Sequence, residues 1–248
     1  YIASTHSHLF FFTNSGKALS VKVHAIPEAP LTSKGRAVVN LVNIDKDERI
    51  TAICHVKEFS EDKYLFFATK KGLVKRVSLS LFKHLRSSGI KAISLPEDDS
   101  LIGVLETDGH TEMILATKKG MSIRFKEEDI RPMGRVAYGV RGIKLKKADE
   151  VVSVETVEQG CNVFTVTEKG YGKRALCTGY RTQARGGGGV INVRCGSKNG
   201  QVVCLKKVLD NDEVILITDT GRTIRFAVKD MPLQNRGGLG VKLMDLQN

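Results

Sequence analysis

The chain has 248 residues with 39 Lys and Arg against 27 Asp and Glu, giving a formal net charge of +12 and a pI near 9.5. A hydrophobic content of 41% supports a real core, and 24 glycines against five prolines suit many tight turns more than disorder. No apolar run approaches the roughly 18 residues of a membrane span, nothing at the start reads as a signal peptide, and the lack of Trp removes the WD-type propeller signature.

In chain order, the opening YIAST reads as the tail of a strand that begins upstream of this sequence. Leu9–Val23, LFFFTNSGKALSVKV, then sets a motif that returns from Leu65, Met113, Val163 and Val214. Each copy has an apolar run, a Thr and a Gly three residues later: Thr13/Gly16, Thr69/Gly72, Thr117/Gly120, Thr167/Gly170 and Thr218/Gly221. The glycines lie 56, 48, 50 and 51 residues apart (72−16, 120−72, 170−120, 221−170), a period that marks a repeat architecture. Locally the motif is a β-hairpin. The apolar run is short and β-favouring, the Gly supplies a positive φ in the turn, and the return run alternates, as in Ile123-Arg124-Phe125.

A second motif follows each hairpin, with copies GRAVVNL from Gly35, GIKAISL from Gly89, GVRGIKL from Gly139, GGGVINV from Gly187 and GGLGVKL from Gly237. A third, an acidic or polar turn leading into a strand, reads DERITAI, DDSLIGV, ADEVVSV and NGQVVCL. Each unit thus holds about four short strands, the size of a propeller blade. The expectation is one all-β domain over 1–248 with units at roughly 1–53, 54–104, 105–154, 155–205 and 206–248. Strand arithmetic gives 1 + 16 + 3 = 20, because GVKLMDLQN stops before a fourth strand. That reads as a piece of a longer polypeptide. Cys54, Cys161, Cys177, Cys195 and Cys204 lack C-x-x-C pairing and are expected to be reduced core thiols.

The charge points to a polyanion, nucleic acid before membrane, because no basic amphipathic helix is evident. Seven residues after the repeat Thr come Arg76, Arg124, Arg174 and Arg225, with Ser20 the exception. Lys75 and Lys173 adjoin two of them, and Arg222 starts the last return run. The turns add Lys70, Lys71, Lys118, Lys119 and Lys169. The glycine-led loops and third strands add Arg141, Lys144, Arg185, Arg236 and Lys242. Such slots, refilled in each repeat, are expected to form a basic rim that holds a phosphate backbone. Aromatic content of 6%, with many of the ten Phe at core positions, argues against base stacking on single strands. Duplex nucleic acid held with little base readout fits better. No residue set reads as catalytic. Glu127-Glu128-Asp129 and Glu97-Asp98-Asp99 read as turn charges, and the run Gly186–Gly189 lacks the G-K-[ST] ending of a phosphate loop. No metal site is expected.

The phrases VHAIPEAPLTSKGRAVVNLVNIDKDERITAI, ATKKGLVKRVSL, GVRGIKL and EKGYGKRA resemble the C-terminal domain of DNA gyrase A, over essentially the whole chain. The resemblance implies a propeller-like β-pinwheel with strands exchanged between blades, here five four-stranded blades of an intact six. It implies duplex DNA wrapped on a basic rim to support ATP-driven negative supercoiling, in a bacterial or organellar, cytoplasmic, nucleoid-associated enzyme. Its partners would be the N-terminal domain of gyrase A and the gyrase B protein. ATP and Mg would act elsewhere in that enzyme, with no cofactor and no catalytic residue in this chain. The family's box, Q-R-R-G-G-K-G, has no perfect copy; Gln183–Gly189 and Gln234–Gly240 each keep five of the seven positions. The related topoisomerase IV domain lacks the box and stays open as an alternative. So do a protein-binding propeller scaffold and a chromatin-associated guanine-exchange propeller.

Overall fold

The computed structural model describes residues 3–246 apart from 31, 86 and 87. Among them there are eighteen strands and short 3-10 turns but no α-helix. The chain forms two compact units, residues 1–109 with 130–140 and residues 110–129 with 141–248.

Every repeat begins as a hairpin, and the Thr-x-x-Gly turn explains why. The Gly N–H donates to the Thr carbonyl, at 2.9 Å for Gly16→Thr13 and 3.0 Å for Gly120→Thr117. The Thr hydroxyl accepts the N–H one residue beyond the Gly in four copies, for example Leu73→Thr69 at 3.1 Å. The acidic turn of the third motif caps the same hairpin. Asp149 accepts from the Thr117 hydroxyl at 2.7 Å and the Lys119 N–H at 2.9 Å, and Glu48 accepts from Thr13 at 3.0 Å.

In the first unit, β1 (His8–Thr13) and β2 (Lys17–Lys22) pair with Phe11 opposite Leu19. β3 (Ile50–Val56) covers the far edge of β1, and β6 (Ile90–Lys91) covers β2, giving the order β3-β1-β2-β6. The second sheet has β4 (Tyr64–Thr69), β5 (Leu73–Ser78) and β7 (Leu101–Thr107), with Val140 of β10 (Val140–Arg141) at its outer end, in the order β10-β5-β4-β7. The core between these sheets is aromatic. Phe10, Phe12, Phe67 and Phe82 are fully buried, and the Phe12 and Phe67 rings meet edge to face at 5.5 Å.

In the second unit, β8 (Glu112–Thr117), β9 (Met121–Lys126), β11 (Val151–Val157) and β14 (Val190–Ile191) form the order β11-β8-β9-β14. Then β12 (Asn162–Thr167), β13 (Tyr171–Leu176), β15 (Val202–Val208) and β18 (Val241–Lys242) form β15-β12-β13-β18. Strands β16 (Glu213–Ile217) and β17 (Thr223–Ala227) form a two-stranded sheet. Each glycine-led strand therefore completes the sheet of the preceding hairpin, not that of its own.

That exchange corrects two expectations. GRAVVNL forms no strand; Val38–Asn40 is a 3-10 turn, and the segment pairs with no hairpin among the described residues. Among the described residues the blades are four four-stranded sheets and one two-stranded hairpin, not five four-stranded blades. Of YIAST, Tyr1 and Ile2 lie outside the described residues and Ala3–Thr5 are not in a strand. The thiols need a third correction. Cys161 and Cys177 flank the β12–β13 hairpin one step beyond the Asn162–Leu176 pair and are joined by a disulfide, Cα atoms 5.8 Å apart. Cys54, Cys195 and Cys204 are free, and burial raises the Cys54 thiol to about 12.

Candidate nucleic-acid interface

The arginines of the second hairpin strand do not form an open rim. Arg76 is 8% exposed, donates to the Gly109 carbonyl at 2.9 Å and lies 4.7 Å from the Tyr64 ring centroid. Arg124 pairs with Glu112 and donates to the carbonyls of Cys177 at 2.9 Å and Tyr180 at 3.3 Å. Arg174 donates to Asp210 at 2.7 Å, and the exposed Arg225 pairs with Glu213. In two of these pairs the acid opens the same hairpin twelve residues earlier (124−112, 225−213), where the antiparallel register brings the strand ends together. The slot braces the hairpins, which corrects its reading as a ring facing solvent.

Lys75 and Lys173 need the same correction. Both are fully buried and donate their ammonium N–H groups to backbone carbonyls. Burial pulls Lys75 down to about 7; burial, then the Arg236 guanidinium, pulls Lys173 down to about 8. Neither ammonium is open to solvent.

The turn lysines are largely tied to neighbouring turns. Lys71 pairs with Asp98, Lys118 with Glu150 at 3.0 Å, and Lys119 and Lys169 donate to the carbonyls of Lys147 at 2.8 Å and Ser197 at 2.6 Å. Lys70 is half-buried. Arg222 is exposed and reaches the Asp245 carbonyl at 3.4 Å, and Lys242 pairs with Asp245 at 3.0 Å. Arg185 donates to the carbonyls of Asp129 at 3.0 Å and Arg141 at 3.2 Å, and Arg236 donates to Gly179 at 3.1 Å and Ile191 at 2.5 Å.

Of the exposed cations without an ion pair among the described residues, one set lies in the glycine-led loops and just beyond their short strands. Arg141 and Lys144 belong to this set. Lys91, Arg131, Arg181 and Arg194 also belong, and the sequence reading passed over them. Their signal was the same repeat: 141−91, 181−131 and 194−144 each equal 50. A common backbone bond sets these loops in register. The N–H of Met133, Gln183 and Gln234 donates at 2.8 Å to the carbonyl of Arg76, Arg124 and Arg174 respectively. The two box-like segments, Gln183–Gly189 and Gln234–Gly240, are these loops. In the second, the Gln234 side chain accepts the Gly240 N–H at 3.2 Å. Among the described residues no three His, Cys, Asp or Glu side chains gather to hold a metal, and no helix is long and apolar enough to cross a membrane.

The family model described as "DNA gyrase C-terminal domain, beta-propeller" matches residues 7–53, 63–108, 111–158, 162–203 and 212–248. The DNA gyrase A protein of Haloquadratum walsbyi is 41% identical over 254 residues, covering 100% of this chain and 30% of that protein. The DNA gyrase A protein of Staphylococcus epidermidis is 40% identical over 246 residues, covering 98% and 28%. The chain thus spans less than a third of the length of these relatives. Among solved structures, the C-terminal domain of a DNA topoisomerase IV superposes with a TM-score of 0.89 at 29% identity, covering 97% of this chain and 76% of that one. A DNA gyrase A C-terminal domain gives 0.86 at 28%, covering 99% and 80%. With the five matched segments tracking the five hairpin repeats, the chain belongs to the DNA gyrase C-terminal domain family.

Proposed function

We propose that this chain binds, bends and wraps duplex DNA as the C-terminal part of a DNA gyrase A protein, so that the assembled enzyme introduces negative supercoils with ATP. Its partners on this reading are duplex DNA, the N-terminal domain of gyrase A and the gyrase B protein, in the cytoplasm. ATP and Mg act in other parts of the enzyme. The observation that carries the reading is three pairs of exposed cations, without an ion pair among the described residues, each pair 50 residues apart: Lys91 with Arg141, Arg131 with Arg181, and Lys144 with Arg194. Cations at one register of a repeat suit a ligand whose own charge repeats, as a phosphate backbone does, and they give affinity without base readout.

Filter binding of duplex DNA across salt concentrations tests this. Each neutralised phosphate adds about 0.9 to the slope of log affinity against log salt, so several contacts give a steep line. A flat line, or strong preference for one short site, would overturn the reading. Nicked plasmid ligated in the presence of the protein then reads wrapping. A handed linking-number shift supports the gyrase role, while bending without it favours a role like that of topoisomerase IV, whose C-terminal domain has the same fold.

A further inference from the structure

The repeat slot three residues after the turn glycine holds Leu19, Ile123 and Ile224 in three hairpins, and Lys75 and Lys173 in the other two. Lys75 is 0% exposed and Lys173 1%. Neither is paired with a carboxylate among the described residues, and in place of a counter-charge each has three carbonyls. The Lys75 ammonium donates to Ala92 at 2.7 Å, Arg135 at 2.5 Å and Ala137 at 3.1 Å. Lys173 donates to Asn192 at 2.5 Å, Asn235 at 3.3 Å and Arg236. Both constellations are one design used twice. The acceptors lie directly after a short outer strand, Ala92 after β6 and Asn192 after β14, and in the cation-bearing loop of the next repeat.

Three N–H donors facing three carbonyls satisfy an ammonium completely. Burying such a group is costly beside an apolar side chain, and Ile123 shows that the slot accepts one. The loops held in this way carry Arg131 and Arg135 in one case and Arg236 in the other, the latter leading into β18 with Lys242. Each loop is also tied on its outer side, where Arg135 donates to the Leu81 carbonyl at 3.2 Å and Arg236 to that of Gly179 at 3.1 Å. The loop backbone is therefore clamped from inside by a lysine and from outside by its own arginine. Loops ordered before the ligand arrives lose less entropy on binding.

Resting on the DNA-binding reading above, we propose that Lys75 and Lys173 are positioning residues for duplex binding, each fixing a cation-bearing loop of the next repeat from within the fold. Neither touches DNA. A neutral amine keeps only two N–H donors, so deprotonation releases one of the three carbonyls and loosens the loop. The charged group facing Lys173 is the Arg236 guanidinium, and for Lys75 burial alone sets the shift. Both ammonium groups therefore titrate between about 7 and about 8, below the ordinary lysine range.

The test is duplex affinity of the whole chain, with Lys75→Met and Lys173→Met, across salt and pH. Each variant is expected to lose about one phosphate contact, a salt slope shallower by about 0.9 and, extrapolated from molar to tenth-molar salt, about eightfold weaker binding. Wild-type affinity should fall as pH rises through 7 to 8, and the double variant should stay level over that range. Variants that keep the wild-type slope would overturn the proposal, as would a parallel decline of wild type and double variant with pH. If a variant fails to fold, hydrogen exchange of residues 134–139 and 235–240 in the wild type decides: protection relative to the intrinsic, base-catalysed rate should fall as pH rises through 7 to 8, and protection that stays level would overturn it. A wild type that binds no duplex at any salt refutes the DNA reading instead, and the exchange measurement still judges the anchor.

Discussion

Replacing Gly240 with Ala probes the exchanged strand, which carries Lys242. Gly240 has φ +88° and an added Cβ would lie 2.7 Å from the Gly172 carbonyl oxygen on β13 of the preceding repeat. Gly35 occupies the equivalent slot of the first repeat at φ +70°, with nothing within 4 Å, and its segment pairs with no strand. A non-glycine residue in the left-handed region costs about 1–2 kcal/mol at either site. At Gly240 the clash also forces β18 away from β13, where Tyr171 pairs with Lys242 and Gly172 with Val241. Two ladder bonds at about 1 kcal/mol each raise the cost to about 3–4 kcal/mol. For a chain of this size each kcal/mol moves the melting point by roughly 2–4 °C, so Gly240→Ala should melt about 4–8 °C below Gly35→Ala. Calorimetry gives the difference, and hydrogen exchange should place the loss at Val241–Lys242. Equal costs for the two substitutions would refute strand exchange as the reason for these glycines.

Arg76→Ala should lower stability by about 1–3 kcal/mol, because the buried Gly109 carbonyl loses its donor, yet leave the salt slope of duplex binding unchanged. The quadruple Arg141, Lys144, Arg181 and Arg194→Gln variant should do the reverse, with a slope shallower by about 3–4 and an unaltered melting point. Cys161→Ser opens a link with a sequence separation of 16 and should cost about 3 kcal/mol without reductant and nothing with it. Lys75 and Lys173 hold fewer protons in the folded chain than in the unfolded chain from about pH 7 and 8 up to the ordinary lysine value of 10.5. Their contribution to stability therefore rises with pH over that window and is least below pH 7. Melting points of wild type and the double Met variant against pH check this, and a wild-type excess slope of opposite sign would refute it.

The hairpins were legible because their determinants are local. A Thr, a Gly three residues on and a short alternating run fix a turn and two strands within fifteen residues, whatever surrounds them. The glycine-led strands were legible as strands, but the sheet they join was not, since Ile90 pairs with Ala18 on the hairpin of the preceding repeat. GRAVVNL carries the same motif, yet among the described residues it pairs with no hairpin edge and Val38–Asn40 is a 3-10 turn.

The candidate site divides in the same way. Repeat register gives a cation's place within its repeat, because that place is written in its spacing, and the same spacing marks Lys91, Arg131, Arg181 and Arg194, which were passed over. Exposure is not written there, because it depends on which segment of another repeat packs over the slot. Arg124 and Arg141 both read as outward cations, yet one is held by Glu112 and two carbonyls while the other stands open. Lys75 and Lys173 were misplaced for that reason, their carbonyl partners lying up to 62 and 63 residues away along the chain. Sequence alone determined the family, the all-β repeat and the basic charge. Only the tertiary structure decided which cations face solvent and which hold the fold together, because burial and pairing are set by contacts between repeats.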